Sequence, residues 1–450
     1  MLINHSDVSR RAALRALGAA ATLSLAKPTL AAKAPNDQIV MGMIGVGNQG
    51  TGRLKEFLQH SDVHVAAICD LDESHRDRAI ALVESTKGYK PRSIGDFRKL
   101  LEIKEIDAVT VVTPDHWHSI PTVSAFEAGK DVFVEKPLSY TVAEGRAMAD
   151  ASLNYQRVTQ MGNHIHNTGD NYRRVVEIVR SGKLGKITRV HLWKTSPTVN
   201  FPVGNPSTLP AGFDYDFWLG PAPKHEYEPL RSHITFRQFW DYSGGSFIDF
   251  WAHIGDLAFW ALDLKAPTHI SSVGGRFFLT DTTEASDNQE AILEFPDLLY
   301  IYSFRPTPLP GFEHMGSIGV LFEGTEASLV ANYSHREIWA KGKKIEDFPL
   351  PAPTIPDSPG HIREFLDAIK SRNMATTCNI RYGHHLTKFG LLSNIAYRTG
   401  QRLEWNDEQE RIVNDSQAND CLSRHMRKPW SLKTQPRPAT VPPPQPGQPA

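Results

Sequence analysis

Three side chains in two short segments could move a proton at a substrate hydroxyl. Lys136 stands in the tripeptide Glu135-Lys136-Pro137, and a lysine can donate to a hydroxyl and stabilise a forming alkoxide. Asp249 and His253 are four residues apart, so a helix would place them on one face, where a carboxylate can orient an imidazole. Each segment also suits an ordinary interpretation, a surface Lys-Pro pair or a helix acid beside a histidine. The chemistry therefore depends on the elements that would bring the segments together.

A glycine-rich turn has the spacing of a dinucleotide-binding turn. Its three glycines follow an apolar run and open a plausible helix, in the order Gly45-Val46-Gly47-Asn48-Gln49-Gly50. The first glycine allows a tight turn, the second a close approach of a pyrophosphate, and the third the packing of helix on strand. A pyrophosphate would lie at the helix N-terminus, where free N–H groups favour anions. We therefore expect a dinucleotide to contact Gly45, Gly47, Asn48, Gln49 and Gly50.

Asp70 completes this pattern at the end of the second apolar run, twenty residues after Gly50. Its carboxylate could accept hydrogen bonds from both ribose hydroxyls of the adenosine, and it would repel a 2′-phosphate. NAD is therefore the expected cofactor. Arg76 lies close to Asp70 in the sequence and leaves NADP open as an alternative.

The elements around these motifs alternate between strands and helices from Gln38 to about Gly162. Apolar runs of strand length occur at residues 39–44, 63–70, 108–113 and 132–134. Segments of helical length separate them, among them residues 119–128 and 141–155. Strands buried on both faces and joined by helices are typical of parallel sheets. We predict that residues 38–160 form a Rossmann domain, with Lys136 just beyond the carboxyl end of a strand.

Strands dominate the second half of the chain. Helices are predicted at residues 172–180, from about 247, at 362–370 and at 386–399. Strands are predicted at residues 187–193, 270–273, 291–295, 299–304 and 318–322. Short strands with close turns favour an antiparallel sheet, which the two late helices would cover. The fold class is therefore α/β, with residues 161–432 forming an α+β domain around an open, mostly antiparallel sheet.

The two ends of the chain differ from the rest in composition. Residues 1–32 combine Ser9-Arg10-Arg11 with an alanine-rich apolar stretch and small residues, the order of a twin-arginine export signal. An amphipathic first helix is the alternative, although the apolar stretch lacks a polar face. Residues 433–450 are rich in proline, and we expect them to be disordered. Export by this route predicts a periplasmic or secreted protein.

Charge and cysteine content exclude several classes of protein. The net charge of −1 gives no sign of a nucleic-acid partner, and three cysteines do not make a disulfide framework. No apolar run is long enough for a stable membrane anchor. Histidine pairs such as His116 and His118 have no third ligand at a characteristic spacing, so no metal site is expected.

Taken together, the motifs resemble the glucose–fructose oxidoreductase, inositol dehydrogenase and MocA family. The resemblance runs from about Ile39 to about Trp430 and includes residues 113–118, Thr-Pro-Asp-His-Trp-His, and the segment Gly-Gly-x-x-x-Asp-x-x-x-His-x-x-Asp from residue 244. It implies that the active site contains Lys136, Asp249 and His253. It also implies that the cofactor is bordered by Thr113, Pro114, His118, Glu135 and Lys136. Family members often pair through the open sheet, so a homodimer or homotetramer is expected.

Two positions bear on the substrate. Trp251 stands where family members commonly have a glycine, two residues after the acid of the last motif, so it would shape the pocket. His166 lies in the segment Gly162–Asn167, where family members often place pocket residues. We therefore predict that His166 and Trp251 contact the substrate.

The resemblance implies an NAD(P)-dependent oxidoreductase that acts on a secondary alcohol of a sugar, glycoside or polyol. An exported enzyme has no free nicotinamide pool to draw on, so the predicted cofactor is tightly bound and regenerated in place. One alternative is a redox-neutral, NAD-dependent glycosidase that works by oxidation, elimination and re-reduction. The other alternative is a sugar-binding protein without catalytic activity.

Overall fold

A computed structural model describes residues 38–167, 169–201 and 208–436. The predicted export signal, residues 1–32, lies outside the described residues. The predicted disordered tail, residues 433–450, is described only to residue 436, and this part is ordered: Lys433 forms a 3.0 Å ion pair with Glu127, and Gln435 donates to the Tyr155 hydroxyl at 3.1 Å. Within the described ranges, no helix is long and apolar enough to cross a membrane.

Strands and helices alternate from Ile39 to Met161, as the apolar runs predicted. The elements are β1 (Ile39–Ile44), α1 (Asn48–Leu58), β2 (Val63–Cys69), α2 (Glu73–Lys87), β3 (Arg92–Ile94), α3 (Phe97–Leu101), β4 (Ala108–Val111), α4 (Ser119–Glu127), β5 (Asp131–Val134), α5 (Val142–Asn154) and β6 (Thr159–Met161). The strands pair in parallel in the order β3-β2-β1-β4-β5-β6. The strand order reverses between β1 and β4, and ligands of such sheets bind at the carboxyl ends of the strands at this point.

The remaining elements build a second sheet and its helices. They are α6 (Asn171–Arg180), β7 (Ile187–Thr195), α7 (Tyr215–Leu219), α8 (Gly245–Leu262), β8 (His269–Gly275), β9 (Asn288–Phe295), β10 (Leu298–Arg305), β11 (Ile318–Gly324), β12 (Ser328–Ala331), β13 (Arg336–Ala340), β14 (Lys343–Lys344), α9 (His361–Ser371), α10 (Ile380–Thr399), β15 (Leu403–Asn406), β16 (Arg411–Ile412) and α11 (Ser416–Asp420). The sheet order is β14-β13-β12-β11-β7-β10-β9-β8-β15-β16, in which β7 and β10 are parallel and the other neighbours antiparallel. The predicted fold class is confirmed.

Helices α8 and α10 pack on one face of the ten-stranded sheet. The Trp251 ring of α8 lies 5.5 Å from the ring of Tyr300 on β10, and Phe259 of α8 stacks 5.6 Å from Phe389 of α10. On the far face, Val273 and Ile292 remain exposed to solvent. Helices therefore cover one side of the sheet.

Helix α9 corrects one expectation, because it does not cover the second sheet. Its Phe365 ring packs 6.4 Å from Phe57 of α1 and 5.9 Å from Phe133 of β5, in the core of the first sheet. Arg363 of α9 also forms a 3.0 Å ion pair with Asp62. The apolar stripe of α9 finds its partner across the chain, which periodicity within one helix cannot reveal.

Several elements had no clear signal in the sequence. Helix α2 buries only Ala79, Ile80 and Val83 among fifteen mostly polar residues, so its apolar pattern is weak. Strands β12 to β16 span two to five residues each and lie at the margins of the ten-stranded sheet. Their pairing depends on neighbouring strands and not on their own composition.

Candidate active site

The glycine turn joins β1 to α1 and packs against the first residues of that helix. Gly45 has a φ of +82°, a conformation that favours glycine. A Cβ at Gly50 would lie only 2.1 Å from the carbonyl oxygen of Gly45, so no larger residue fits there. Gly47 precedes the first residue of α1, Asn48, and caps the helix without a side-chain hydrogen bond. The helix therefore presents its unpaired N–H groups to an anion.

Asp70 is held against this turn by main-chain hydrogen bonds. Its carboxylate accepts from the N–H of Val46 at 2.7 Å and from the N–H of Asp72 at 3.0 Å. Both oxygens keep further lone pairs, so the carboxylate can still accept bonds from ribose hydroxyls. The structure thus brings together the turn and the acid that the sequence predicted to act on one cofactor.

A cavity of about 890 Å³ opens beside the turn at the carboxyl edge of the parallel sheet. From the first domain it is lined by the turn, Asp70, Thr113, Pro114, Glu135 and Lys136, among others. From the second domain it is lined by Phe217, Trp218, His233, Ile234, Phe236 and Arg237. A cavity of this size suits a ligand larger than a single sugar.

Lys136 meets Asp249 at the border of this cavity. The Nζ of Lys136 lies 2.6 Å from Oδ1 of Asp249, and the same oxygen accepts from Nε of Arg237 at 3.1 Å. Burial raises the pKa of Asp249, but Lys136 and Arg237 outweigh burial and hold the pKa well below its usual range. Asp249 is therefore a carboxylate shared by two cations. The three groups together carry one positive charge.

His253 lies one helical turn beyond Asp249 on α8 and is half-buried. Burial, and then the charge of Lys136, lower the pKa of His253 to about 3, although Asp249 acts in the opposite direction. The ring is therefore neutral near pH 7. No hydrogen bond joins the described Asp249 and His253 side chains, which corrects the expectation that the acid orients the imidazole. Asp249 instead bonds to Lys136 and Arg237.

Glu135 connects the Lys136 segment to the helix of the glycine turn. Its buried carboxylate accepts from Nε of Arg53 at 2.5 Å and from Nε2 of Gln49 at 3.3 Å, both on α1. Burial raises the pKa of Glu135, but Arg53 and Lys136 outweigh it and lower the pKa. Arg53 belongs to none of the motifs recognised in the sequence. Its ion pair with Glu135 links the helix of the glycine turn to the Lys136 segment.

His118 lies behind the cavity wall, although it was expected to border the cofactor. Its Nδ1 is 2.8 Å from the carbonyl oxygen of Pro137, and its Nε2 is 2.9 Å from that of Thr113. Both ring nitrogens are therefore occupied by the backbone. His118 holds the Thr113 and Pro137 loops together, and it is Thr113 and Pro114 that line the cavity.

Trp251 and His166, the expected substrate contacts, lie in the core of the second domain. Trp251 is fully buried and donates its Nε1–H to the carbonyl oxygen of Leu386 at 2.8 Å. His166 is buried 3.0 Å from a carboxylate oxygen of Asp256 and stacks on Trp260 at 4.2 Å. Neither side chain lines the cavity. Trp251 lies on the face of α8 that packs on the sheet, and His166 is held against Asp256 of the same helix. This corrects the sequence-based expectation for both residues.

A segment of the second domain, residues 212–237, runs along the carboxyl edge of the first sheet; we call it the second-domain segment. Its Gly212 accepts from the N–H of Glu73 at 2.9 Å, and its Asp214 donates from its N–H to the carbonyl oxygen of Leu71 at 3.0 Å. Farther along, His233 contacts Asp72, and Arg237 reaches Asp249. This segment is rich in aromatic residues and longer than an ordinary connection. Its composition did not indicate that Arg237 would enter the site.

Both halves of the chain match models of one oxidoreductase family. Residues 39–163 match the family model described as "Oxidoreductase family, NAD-binding Rossmann fold". Residues 173–432 match the model described as "Oxidoreductase family, C-terminal alpha/beta domain". Together the two matches cover most of the chain.

Among curated proteins, a "Glycosyl hydrolase family 109 protein" of Shewanella pealeana is 34% identical over 155 residues, which are 34% of this chain and 34% of the relative. An "Alpha-N-acetylgalactosaminidase" of Shewanella oneidensis is 32% identical over 169 residues, 36% of this chain and 37% of the relative. The chain therefore matches only about a third of the length of these relatives.

Two solved structures illustrate the likeness of fold. The WlbA dehydrogenase from Bordetella pertussis, in complex with NADH and UDP-GlcNAcA, superposes with a TM-score of 0.60 at 17% identity, over 82% of this chain and 99% of that one. A levoglucosan dehydrogenase in complex with NADH and levoglucosan superposes with a TM-score of 0.57 at 16% identity, over 82% and 99% of the two chains. At these identities the likeness concerns the fold.

Proposed function

Because the chain belongs to the Gfo/Idh/MocA oxidoreductase family, whose first domain is an NAD-binding Rossmann fold, we propose that it oxidises a secondary alcohol of a sugar, glycoside or polyol. The observation that carries this proposal is the contact between Lys136 and Asp249 beside the cavity that also holds the glycine turn. A cation placed there can stabilise the negative charge that develops on a substrate oxygen.

The residues of the turn fit a nicotinamide dinucleotide. Gly45 and Gly50 leave no room for a side chain between strand and helix, and the N-terminus of α1 faces the cavity. Asp70 would hold the adenosine ribose, and its charge favours NAD over NADP. When bound, the nicotinamide supplies a hydride acceptor next to the substrate carbon. Thr113 and Pro114 would border it on the same edge.

Lys136 and His253 divide the proton chemistry in this proposal. Lys136 donates a hydrogen bond to the substrate hydroxyl and stabilises the alkoxide as it forms. Asp249 keeps the ammonium of Lys136 in place, since it accepts from Nζ at 2.6 Å. His253 lies behind the residues that line the cavity and is neutral at working pH, so one nitrogen of its ring carries no proton. We assign to it the proton that leaves the hydroxyl, which requires that bound substrate raise the pKa of His253 above its value of about 3. The guanidinium of Arg237 completes the cationic wall.

We further propose that the cofactor is retained between turnovers and that the protein works in the periplasm or outside the cell. The twin-arginine pattern of residues 1–32 supports export in the folded state. The second-domain segment that bonds to Leu71, Asp72 and Glu73 supports retention, because it lies along the edge where the adenosine would bind. A retained cofactor must be regenerated in place, either by a second sugar or within one catalytic cycle.

Redox-neutral cleavage of a glycoside is the second candidate function. Relatives that match about a third of the chain carry the names glycosyl hydrolase family 109 protein and alpha-N-acetylgalactosaminidase, which favours this candidate. In such a cycle, oxidation of one hydroxyl to a ketone acidifies the neighbouring C–H. Loss of that proton lets the glycosidic group leave, water adds, and the ketone is reduced by the hydride that was removed. The same lysine and histidine would serve the oxidation and the reduction.

One experiment separates the candidates. The exported, purified protein is tested for bound NAD(H) and then mixed with free sugars and with aryl glycosides, including an α-N-acetylgalactosaminide. NADH absorbance and released aglycone are recorded together. Absorbance change or sugar exchange without aglycone supports the dehydrogenase, and aglycone without net NADH supports the glycosidase. If no substrate changes the NADH absorbance or releases aglycone, and Lys136→Met behaves like wild type in both measurements, only the non-catalytic sugar-binding protein remains.

We also infer a homo-oligomer. The far face of the ten-stranded sheet exposes Val273 and Ile292, and a second copy of the chain would bury them. Light scattering coupled to size exclusion should report a dimer or tetramer, and Val273→Asp should shift it toward the monomer. A monomeric wild-type protein at micromolar concentration would contradict this inference.

A further inference from the structure

Two histidines and an aspartate meet at the end of the cavity that faces α2. Asp72 and His75 belong to the start of α2, whereas His233 comes from the second-domain segment. Nε2 of His233 lies 3.1 Å from Oδ2 of Asp72, and the rings of His75 and His233 are 4.5 Å apart. One ligand atom from each of the three side chains lies within 4.8 Å of the others. Asp72 is buried, and the two histidines are half-buried.

We propose that Asp72, His75 and His233 bind a divalent cation of the zinc type. Two imidazoles and one carboxylate are a ligand set that zinc accepts in proteins, with a fourth position left for water or another ligand. Ligand atoms about 2.0 Å from a tetrahedral ion stand about 3.3 Å apart. The observed separation of His233 and Asp72 already matches this value, so small side-chain rotations would close the site.

Neighbouring groups hold the ligands in suitable positions. Oδ1 of Asp72 accepts from the N–H of Ser74 at 2.8 Å and from its hydroxyl at 2.6 Å, so Oδ2 is the oxygen that faces His233. Nδ1 of His75 lies 3.4 Å from Oδ1 of Asp70. A carboxylate in this position is the usual outer partner of a metal-binding histidine, because it orients the ring.

The ligand set is distinct from the other histidine–carboxylate contacts of the chain. His225 and Asp241 form a closer pair, 2.7 Å apart, but among the described residues only Asp72, His75 and His233 form a group of three metal-type ligands. Sequence spacing did not indicate the site, because His233 is 161 residues from Asp72. A cation here would link α2 to the second-domain segment across the adenosine end of the cavity.

The test uses the purified, full-length protein with its own cofactor and without a histidine tag. Binding of zinc, added as zinc chloride, is measured by equilibrium dialysis with metal analysis. Binding of cobalt, added as cobalt chloride, is measured by its visible ligand-field absorption. Neither measurement depends on turnover. We expect one equivalent of metal per chain. In Asp72→Asn and His233→Gln the affinity should fall by at least about 10-fold. His225→Gln, which removes a histidine from a pair without a third ligand, should bind metal like wild type.

Thermal unfolding without metal shows whether each variant is folded. Asparagine also caps helices well, so Asp72→Asn should keep α2 intact. If Asp72→Asn nevertheless fails to fold, His233→Gln decides the question, since it lies outside the helix. The proposal is overturned if folded wild-type protein takes up no zinc at submillimolar concentration. It is equally overturned if a folded Asp72→Asn or His233→Gln binds zinc as tightly as wild type.

Discussion

Replacing Lys136 with methionine tests the proposed chemistry most directly. Methionine keeps much of the volume of the lysine stem and removes the ammonium group, while Asp249 keeps its 3.1 Å contact with Arg237. Lys136, Asp249 and Arg237 together carry one positive charge, so the substitution leaves the group neutral. The fold and the bound cofactor should persist, because the turn and Asp70 do not contact the removed group. Turnover should fall.

The size of that fall follows from the geometry. A cation about 4 Å from a forming oxyanion contributes about 4 kcal/mol at the effective dielectric constant of such sites. Removal of a single donor to an oxyanion in other enzymes lowers kcat by about 10²–10³-fold, or roughly 3–4 kcal/mol. We therefore expect Lys136→Met to lower kcat by about 10²–10³-fold. The assay is single-substrate turnover, with the NAD(H) content of each preparation measured beforehand.

Lys194 provides the matched control for this experiment. Its Nζ sits 4.5 Å over the ring of Phe250, next to Asp249 in the chain, but it does not line the cavity. Lys194→Met also removes one positive charge near the site and should leave turnover close to wild type. If Lys136→Met, folded and loaded with cofactor, retained more than about a tenth of wild-type turnover, the ammonium would contribute less than about 1.4 kcal/mol. Its proposed role would then be refuted.

Three further predictions concern other parts of the structure. Gly50→Ala should abolish cofactor retention, because its Cβ would lie 2.1 Å from the Gly45 carbonyl oxygen. Gly52→Ala is the control: its Cβ would have no atom within 4 Å, so this variant should retain the cofactor and gain about 0.5–1 kcal/mol of stability. Equal cofactor retention by the two variants would contradict this prediction. Trp251→Phe should cost about 1–3 kcal/mol in denaturant unfolding, through the lost bond to the backbone, and leave KM unchanged. A changed KM at unchanged stability would instead indicate that Trp251 contacts the substrate. The pKa of His253 is about 3 in the folded protein, below its ordinary 6.5, so the unfolded chain binds this proton more tightly. Stability should therefore be lost as the pH falls from 6.5 toward 3, and the loss should be smaller in His253→Gln. An identical pH dependence of the two melting temperatures would show that His253 is not held neutral.

Much of the cofactor side of the cavity could be predicted from the sequence. The glycine spacing, the strand before it and Asp70 after the next strand are short-range features, and each restricts the backbone locally. The structure accordingly brings the turn and Asp70 together through the N–H of Val46. Lys136 could also be anticipated at the same edge, because the residues that follow parallel strands meet there.

The partners of these residues could not be predicted, because they lie in elements that share no sequence period with them. Arg237 reaches Asp249 from the segment before α8, twelve positions earlier in the sequence. Arg53 pairs with Glu135 across 82 positions of sequence. The sequence positions of these arginines and acids follow no helix or strand repeat. Only the folded chain therefore shows which acid each arginine contacts.

The amino-acid sequence by itself determined the fold class, the cofactor turn with its acid, and the lysine at the edge of the parallel sheet. Each of these rests on local spacing that a strand or helix converts directly into position. Only the tertiary structure decided that Asp249 pairs with Lys136 and Arg237, that Trp251 packs in the core, and that His233 meets Asp72. The face that α8 turns toward the sheet, and the path of the loop across the cavity, follow from the packing of whole elements. Such packing minimises exposed apolar surface over the entire chain, and no single segment encodes it.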